Sequence, residues 1–369
     1  RDPEGHWCEW TGSSYVNPLA GITGGTVYDI KEAPNGDIYV CGAFTSAGGV
    51  ANTKCIARWS KANQVWQAVG NPVTGATLDY IYAMAFDANG DLYVGGFFTN
   101  LAGIANADYF AKYTVSTNKW GAIGSGINST VMAIEIDTDG TIYIGGSFTT
   151  AGGNSNCKNI AKKSLNDSNW LPLANGLNGF VDALKFQQNG NLIIGGNFTN
   201  ADGTNGDYFC YWGGSSFKSF TDFGATELNA CVNSIDINPN GTIIIGGIFT
   251  NAGGDSNADY VAAWRGNNWG ALMAGGLNHW VYDVFCADNG DIYLGGYFTK
   301  AGNIILTDRV VKSVQGVFQP IDIDFPGNEH VLKICTTSDG SLYIGGNFST
   351  IVSGENAIAA GVVGGADLN

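Results

Sequence analysis

One phrase recurs seven times along this 369-residue chain. It reads NGDIYVCGAFT from Asn35, NGDLYVGGFFT from Asn89, DGTIYIGGSFT from Asp139 and NGNLIIGGNFT from Asn189. It continues as NGTIIIGGIFT from Asn240, NGDIYLGGYFT from Asn289 and DGSLYIGGNFS from Asp339, so the copies start 49 to 54 residues apart. A period of that length marks a repeat architecture, in which each unit buries its apolar face only against its neighbours.

Each copy predicts a β-hairpin. Asn-Gly or Asp-Gly suits a two-residue type I′ turn, whose two positive-φ positions match the twist of the flanking strands. A strand precedes the turn, as in VYDIKEA from Val27 or VYDVFCA from Val281. After it comes IYVGG or IIIGG, an apolar run suited to a strand buried on both faces. The paired glycines allow another backbone to approach closely, and a phenylalanine follows in every copy: Phe44, Phe98, Phe148, Phe198, Phe249, Phe298 and Phe348.

A second phrase fills the rest of the repeat, as in CIARWSKANQVWQAV from Cys55, NIAKKSLNDSNWLPL from Asn159 and YVAAWRGNNWGALMAGGL from Tyr260. It predicts a third strand, a short polar turn and a fourth strand marked by Trp66, Trp120, Trp170, Phe217, Trp269 or Phe318. Four short antiparallel strands per repeat make a propeller blade. The expected fold is therefore all-β: a seven-bladed β-propeller, four antiparallel strands per blade, spanning 1–369 as one domain with repeat anchors at 35, 89, 139, 189, 240, 289 and 339. Residues 1–20, which include HWCEWTGSSYVNPLA, resemble the third-and-fourth-strand phrase with no first hairpin before it. They are expected to complete the last blade near Tyr15, closing the ring with an N-terminal strand and removing an open edge. Trp7–Trp10 and Ala357–Val363 both read as third strands, and only one can take that place.

The 55 glycines, 12% aromatics and only 13% charged residues argue against a helical or disordered chain. A net charge of −15 repels phosphate backbones, so nucleic acid is not an expected partner. No stretch of 18 apolar residues predicts a membrane span. The start at Arg1, without Met or a signal-like apolar segment, reads as a processed or excised chain.

The GG-x-F-T-x-A-G-G phrase, followed by IARW and a later Trp, resembles Kelch-like propellers and, more closely, repeats of the delta-60 type. Such repeats occur in secreted bacterial proteins, in a fungal cortical-marker propeller and in surface or structural proteins of phages and large DNA viruses. The resemblance covers nearly the whole chain and implies the fold; it implies no catalytic residues. Departures are Cys41-Gly42 in place of the first Gly-Gly, LAG at 101–103, the loss of AGG from the last copy, and Ile56-Ala57-Arg58-Trp59 as the one intact IARW.

Catalysis needs a positioned acid, base, nucleophile or metal. The chain has three histidines, His6, His279 and His330, and no GxSxG, HExxH or P-loop pattern. Asp137-x-Asp139-Gly140 hints at a calcium loop, but Asp87, Gln187 and Asn238 at the equivalent positions favour a plain hairpin turn, so no metal or cofactor is expected. A glycosidase or lyase needs a carboxylate pair. Asp29 and Asp283 occupy equivalent positions several repeats apart, and the chain is read as not an enzyme. Sequons at Asn128, Asn166, Asn197, Asn240 and Asn347 are about as many as this composition produces by chance. The eight cysteines have no CxxC spacing and read mainly as buried free thiols. If any pair is bridged, Cys41 and Cys55 on neighbouring strands are the expected disulfide.

The connections into the first strands place Thr26, Tyr80, Thr130, Phe180, Cys231, Trp280 and His330 just before each strand's opening Val or Ile. Tyr80, Phe180, His279, Trp280 and His330 could form an aromatic ligand-binding ring at a channel mouth, where sugars stack or peptides pack. The plainer reading, that these rings plug the channel or cap the core, is preferred. The loops after each Phe-Thr, such as SAGGVANTK at 46–54, offer a second, polar surface. The functional expectation is a non-catalytic extracellular, cell-surface or virion-surface propeller. It would act as structural scaffold and protein-interaction platform, and could form part of a larger assembly. The alternative is a lectin-like adhesin that binds cell-surface glycans at the aromatic mouth.

Overall fold

The computed structural model describes residues 9–10, 15–16 and 21–353, apart from 74–75, 165, 204–205, 224–226, 274, 303–308, 315, 322, 326, 328 and 349–351. The chain divides into two compact units, residues 1–140 with 322–369, and residues 141–321. Helix is confined to short 3-10 turns among the described residues, and no helix there is long and apolar enough to cross a membrane.

Strands and repeats follow the phrase closely. Repeat 1 pairs Val27–Glu32, Ile38–Gly42, Ile56–Ser60 and Val65–Ala68 in that order. Repeats 2 to 6 build the same four-stranded antiparallel sheet, each strand beside its sequence neighbour. The second strands, Ile38–Gly42, Ile142–Gly146 and Ile243–Gly247 among them, are buried along their whole length, as a strand covered on both faces must be. Fourth-strand aromatics pair across to the third strand, with Trp59 and Trp66 centroids 5.5 Å apart and Trp264 and Trp269 5.4 Å apart.

The blade count differs from the sequence expectation. Among the described residues six sheets have four strands, so the propeller has six four-stranded blades rather than seven. The seventh repeat supplies a hairpin, His330–Thr336 with Leu342–Asn347, and a short pairing of Ile323–Asp324 with Val352–Ser353. Its glycine turn and paired glycines are intact, so the hairpin forms. The sequence after Phe348 has neither the AGG loop nor a further aromatic, the elements from which the other repeats build their outer strands. Of the N-terminal segment, Glu9–Trp10 and Tyr15–Val16 pair with each other; the expected strand exchange between residues 1–20 and the last repeat otherwise lies outside the described residues, as does Ala357–Val363.

The turn chemistry also differs from expectation. Gly36 N–H donates to Ala33 O and Ala33 N–H to Asp37 O, which makes a three-residue loop, not a two-residue type I′ turn. Positive φ is needed only at the glycine (Gly36 84°, Gly90 78°, Gly290 87°), as in a type I turn closed by a glycine bulge. The preceding Asn or Asp has another task. Its side-chain oxygen accepts the N–H two residues on, Asp37 N to Asn35 Oδ1 at 3.1 Å and Thr242 N to Asn240 Oδ1 at 2.9 Å.

The two glycines of each pair have separate roles. A Cβ on the first would lie 2.5 Å from Val131 Cγ1 at Gly95, 2.3 Å from Val181 Cγ1 at Gly145 and 2.6 Å from Val27 Cγ1 at Gly345. Its bareness admits the opening valine of the next repeat's first strand. Through Gly345, Val27 and the buried Tyr343, the seventh hairpin packs against the sheet of repeat 1. A Cβ on the second glycine would meet the first strand of its own sheet, 2.2 Å from Tyr80 O at Gly96 and 2.1 Å from Trp280 O at Gly296. There the register shifts by one residue, and Tyr28, Tyr82, Asp182, Asn233, Tyr282 and Leu332 are bulged out of the ladder.

Candidate functional site: aromatic platforms at the strand entrances

The bulges and the positions beside them build the exposed aromatic surface. Eight large hydrophobic residues are exposed among the described residues, and Tyr80, Phe97, Phe180, Ile248 and Trp280 stand at one level of the repeat. Tyr80 faces Phe97 across its ladder, Phe180 faces Asn197, and the N–H groups of Ile248 and Tyr297 donate to Cys231 O and Trp280 O. The remaining three, Val65, Leu171 and Val317, belong to fourth strands.

In the first unit, Tyr80 (39% exposed) and Phe97 (41%) join a run of rings. Tyr80 and Phe97 centroids are 6.3 Å apart, and Phe97 meets Tyr109 edge-on at 5.8 Å. Tyr82, the bulged residue, lies 6.0 Å from Tyr80 and 4.7 Å from Tyr28, the bulged residue of repeat 1. Burial, and then the neighbouring Tyr82 and Tyr80, push the Tyr28 phenol up to about 12, so that ring stays uncharged at physiological pH.

In the second unit, His279 is the hub. Its ring stacks on Tyr260 at 6.2 Å and 10°, meets Tyr297 edge-on at 4.7 Å and lies 4.8 Å from Trp280. Its Nδ1 accepts the Trp280 N–H at 2.9 Å, which leaves the ring proton of the neutral imidazole on Nε2. Burial, and then the Arg309 guanidinium, hold His279 below its ordinary value. Arg309 lies 4.5 Å over the Tyr297 ring and donates to Tyr297 O at 2.9 Å. Trp280 is 41% exposed.

Of the residues expected from sequence, Tyr80 joins one platform, and His279 and Trp280 join the other. Phe180 is exposed opposite Asn197 at the same repeat position, and His330 is part-buried opposite Asn347. Phe97, Tyr109, Tyr260, Tyr297 and Arg309 were not foreseen. Phe97 and Tyr297 are the x of GG-x-F, and counting outward from the turn would have set them beside Tyr80 and Trp280.

Tyr109, Tyr260 and Arg309 share a less visible position with Cys55, Asn159 and Tyr208. All six have φ between 61° and 65° immediately before the third strand, although none is glycine. Each donates its N–H to the repeat's Phe carbonyl, as Tyr109 N does to Phe98 O at 2.9 Å, and accepts the second glycine's N–H. The left-handed conformation costs about 1 kcal/mol or more for such residues. Three of these side chains reach the entrance of the following repeat: Cys55 Sγ donates to Asp79 O at 3.2 Å, Asn159 Nδ2 to Leu177 O at 2.8 Å, and Tyr260 stacks on His279. Tyr109 and Arg309 instead meet Phe97 and Tyr297 of their own repeats.

Cys41 and Cys55 are separate buried thiols in this structure. Cys41 pairs with Ile56 in the ladder, while the left-handed turn at Cys55 sends its Sγ to Asp79 O.

The other candidate carboxylates engage neighbouring donors. Asp29 Oδ1 accepts Ile30 N–H and Oδ2 accepts Met84 N–H, both buried, and Asp283 Oδ1 accepts Ser234 Oγ–H at 3.1 Å. The Asp137 side chain accepts the Thr138 N–H within its own turn. No group of three or more His, Cys, Asp or Glu placed to hold a metal occurs among the described residues.

Comparison with known proteins agrees with this architecture. The family model described as the Rax2 C-terminal beta propeller domain matches residues 122–270. No curated protein matches the chain. Among solved structures, the extracellular domain of the putative hybrid two component system BT4673 from B. thetaiotaomicron is similar at TM-score 0.57 and 11% identity over 95% of this chain. The corresponding BT3049 domain from the same organism has TM-score 0.58 and 12% identity over 89% of this chain. This chain spans 40% of the length of each of those two proteins. The WD40 beta propeller domain of Doa1 has TM-score 0.55 and 14% identity, covering 89% of this chain and 92% of that one. At such identities the likeness is one of fold, and that fold is the all-β β-propeller.

Proposed function

We propose that this chain is a non-catalytic interaction module that docks a protein partner on the aromatic platforms at its strand entrances. The observation that carries the reading is the concentration of exposed aromatics at one level of the repeat: Tyr80, Phe97, Phe180 and Trp280. Scattered single hydrophobes need no explanation, but a repeated apolar level does. Rings already packed against neighbours lose little freedom on binding, which suits them to anchor a contact.

The groups that could do chemistry favour the non-catalytic reading. Burial raises the Cys41, Cys55, Cys157, Cys210, Cys231, Cys286 and Cys335 thiols, the opposite of an activated nucleophile. Asp29 and Asp283 spend their oxygens on structural donors. The net charge of −15 disfavours nucleic acid as the partner. An extracellular setting is supported by the two extracellular bacterial domains among the structural neighbours, set beside a WD40 propeller domain.

The test begins by cross-linking the intact chain to its partner in material from its source and identifying that partner. Affinity between the two purified proteins is then measured by calorimetry. Tyr80→Ala combined with Phe97→Ala is expected to weaken binding at least tenfold with the melting temperature retained. Equal affinity for the wild type and for matched double variants on both platforms would refute the reading.

A further inference from the structure

We infer that the platform of repeat 6, built from Trp280, His279, Tyr297 and Tyr260, is a binding subsite for a neutral hexopyranose. The assignment goes beyond the protein-docking reading above and shares with it only the premise that the strand-entrance surface is a contact surface.

The two platforms are built at equivalent positions but differ in chemistry. Tyr80, Phe97 and Tyr109 of repeat 2 become Trp280, Tyr297 and Arg309 in repeat 6, and Asp79 becomes His279. The first is a run of phenol and phenyl rings. The second sets a ring N–H donor beside the exposed indole of Trp280. With Nδ1 committed to the Trp280 N–H, the imidazole presents Nε2–H, which has no partner among the described residues. The same bond ties the indole's backbone to the imidazole, and Tyr260 and Tyr297 hold that imidazole on two sides. The imidazole donor is thus held beside the stacking face before a ligand arrives, with the two ring centroids 4.8 Å apart.

A hexopyranose has what this pair requires: an apolar face of C–H bonds for the indole, and ring hydroxyls at its edge to accept from Nε2–H. An apolar side chain would leave the imidazole donor unsatisfied on burial. Charge selects the neutral sugar. The Arg309 cation is buried and already used on Tyr297, so it is not offered to a carboxylate. Burial and Arg309 hold His279 below its ordinary value, which favours the neutral imidazole, and the chain as a whole carries −15, which repels acidic sugars.

The probe is a glycan array displaying neutral oligosaccharides that end in glucose, galactose, mannose or N-acetylglucosamine. The strongest ligand is then titrated as a free oligosaccharide, read by tryptophan fluorescence. The expected result is binding that Trp280→Ala weakens at least tenfold, Trp280→Phe weakens less, and His279→Ala weakens with the fold retained. Tyr80→Ala is expected to leave it unchanged. No binding on the array, or binding indifferent to Trp280→Ala, overturns the inference. Loss of sugar binding in Tyr80→Ala alone would place the ligand on the other platform and equally overturn it. A negative array together with a protein partner lost in the Tyr80 and Phe97 variants would leave the broader reading standing while this one fails.

Discussion

The backbone N–H of Met84 donates to Asp29 Oδ2 at 2.8 Å, joining the first strand of repeat 2 to the first strand of repeat 1 through a buried carboxylate. The same carboxylate accepts Ile30 N–H at 2.9 Å through Oδ1. Repeats 5 and 6 solve the problem with a hydroxyl, since Ser234 Oγ accepts Val284 N–H and donates to Asp283 Oδ1. The innermost strands therefore lock to their neighbours by side chains rather than by ladder bonds. Asp29→Ala strands two donors and is expected to cost about 1–3 kcal/mol for each one left buried and unsatisfied. Asp29→Asn keeps an acceptor and should cost less. Urea denaturation of the pair gives the answer, and a harmless Ala variant would mean that water replaces the carboxylate.

The glycine pair offers a sharper comparison within one repeat. A Cβ at Gly195 would lie 2.7 Å from Val232 Cγ1, a side chain that can shift, whereas one at Gly196 would lie 2.1 Å from the Phe180 carbonyl oxygen. Gly195→Ala is expected to destabilise by about 1–3 kcal/mol, the usual range for overpacking. Gly196→Ala should exceed it, because a backbone inside a bulged ladder cannot yield without breaking pairs. Equilibrium denaturation of both variants tests the order; the reverse order would mean that the bulge is soft.

Much of this fold was legible because each physical need is repeated. Asn-Gly, Gly-Gly and the Phe-Thr that follows mark a turn, two close approaches and a buried ring in every copy. The number of complete blades was not legible, since the phrase identifies hairpins and the seventh hairpin is followed by neither the AGG loop nor a fourth-strand aromatic. The turn type was misread because Asn and Asp suit both an αL position and a side-chain cap, and only the backbone angles distinguish them. One device could have been read by comparing copies. Asp91, Tyr93 and Lys112 meet, with Lys112 Nζ 2.9 Å from Asp91 and 5.0 Å over the Tyr93 ring, as do Asp291, Tyr293 and Lys312. Repeats 4 and 5 have Ile193 and Ile244 in place of the tyrosine, and there the acid and the base are missing too. Tyr80 and Trp280 of the candidate surface were visible as aromatic strand entrances. Arg309 was not, because its left-handed position is occupied by Cys, Asn, Tyr or Arg with no glycine to mark it.

The phenylalanine of each repeat tests the packing. Phe148 is fully buried, and its carbonyl accepts the N–H of the left-handed Asn159 at 2.7 Å. Phe148→Ala empties a core site without touching that backbone bond, so the expected loss of about 3–5 kcal/mol is a cavity and transfer cost. Phe148→Leu should retain most of the stability. A loss below about 1 kcal/mol for the alanine variant, on a scale where core truncations cost several, would mean that the site collapses around the deletion.

Acid should loosen the seventh hairpin from the first repeat. Glu32 accepts from Ser338 N–H and Oγ–H, and Lys61 pairs with Asp339, so both charged contacts join that hairpin's turn to repeat 1. Burial opposes ionisation of Asp339, but the Lys61 ammonium and the Thr337 and Ser341 donors outweigh it and hold the carboxyl well below its ordinary value. A carboxyl depressed in the folded state contributes its stability in full above the unfolded value of about 3.9, and loses it as pH falls through the folded value. Asp339 is about half exposed, so solvent screens the pair and the effect is modest. Thermal melts of wild type and Asp339→Asn should therefore differ most near neutral pH and converge as the solution is acidified below about pH 4. Curves that stay parallel to the lowest pH would show that the Asp339 proton is not linked to folding, and that the hairpin is held by Tyr343 and the Gly345–Val27 contact alone.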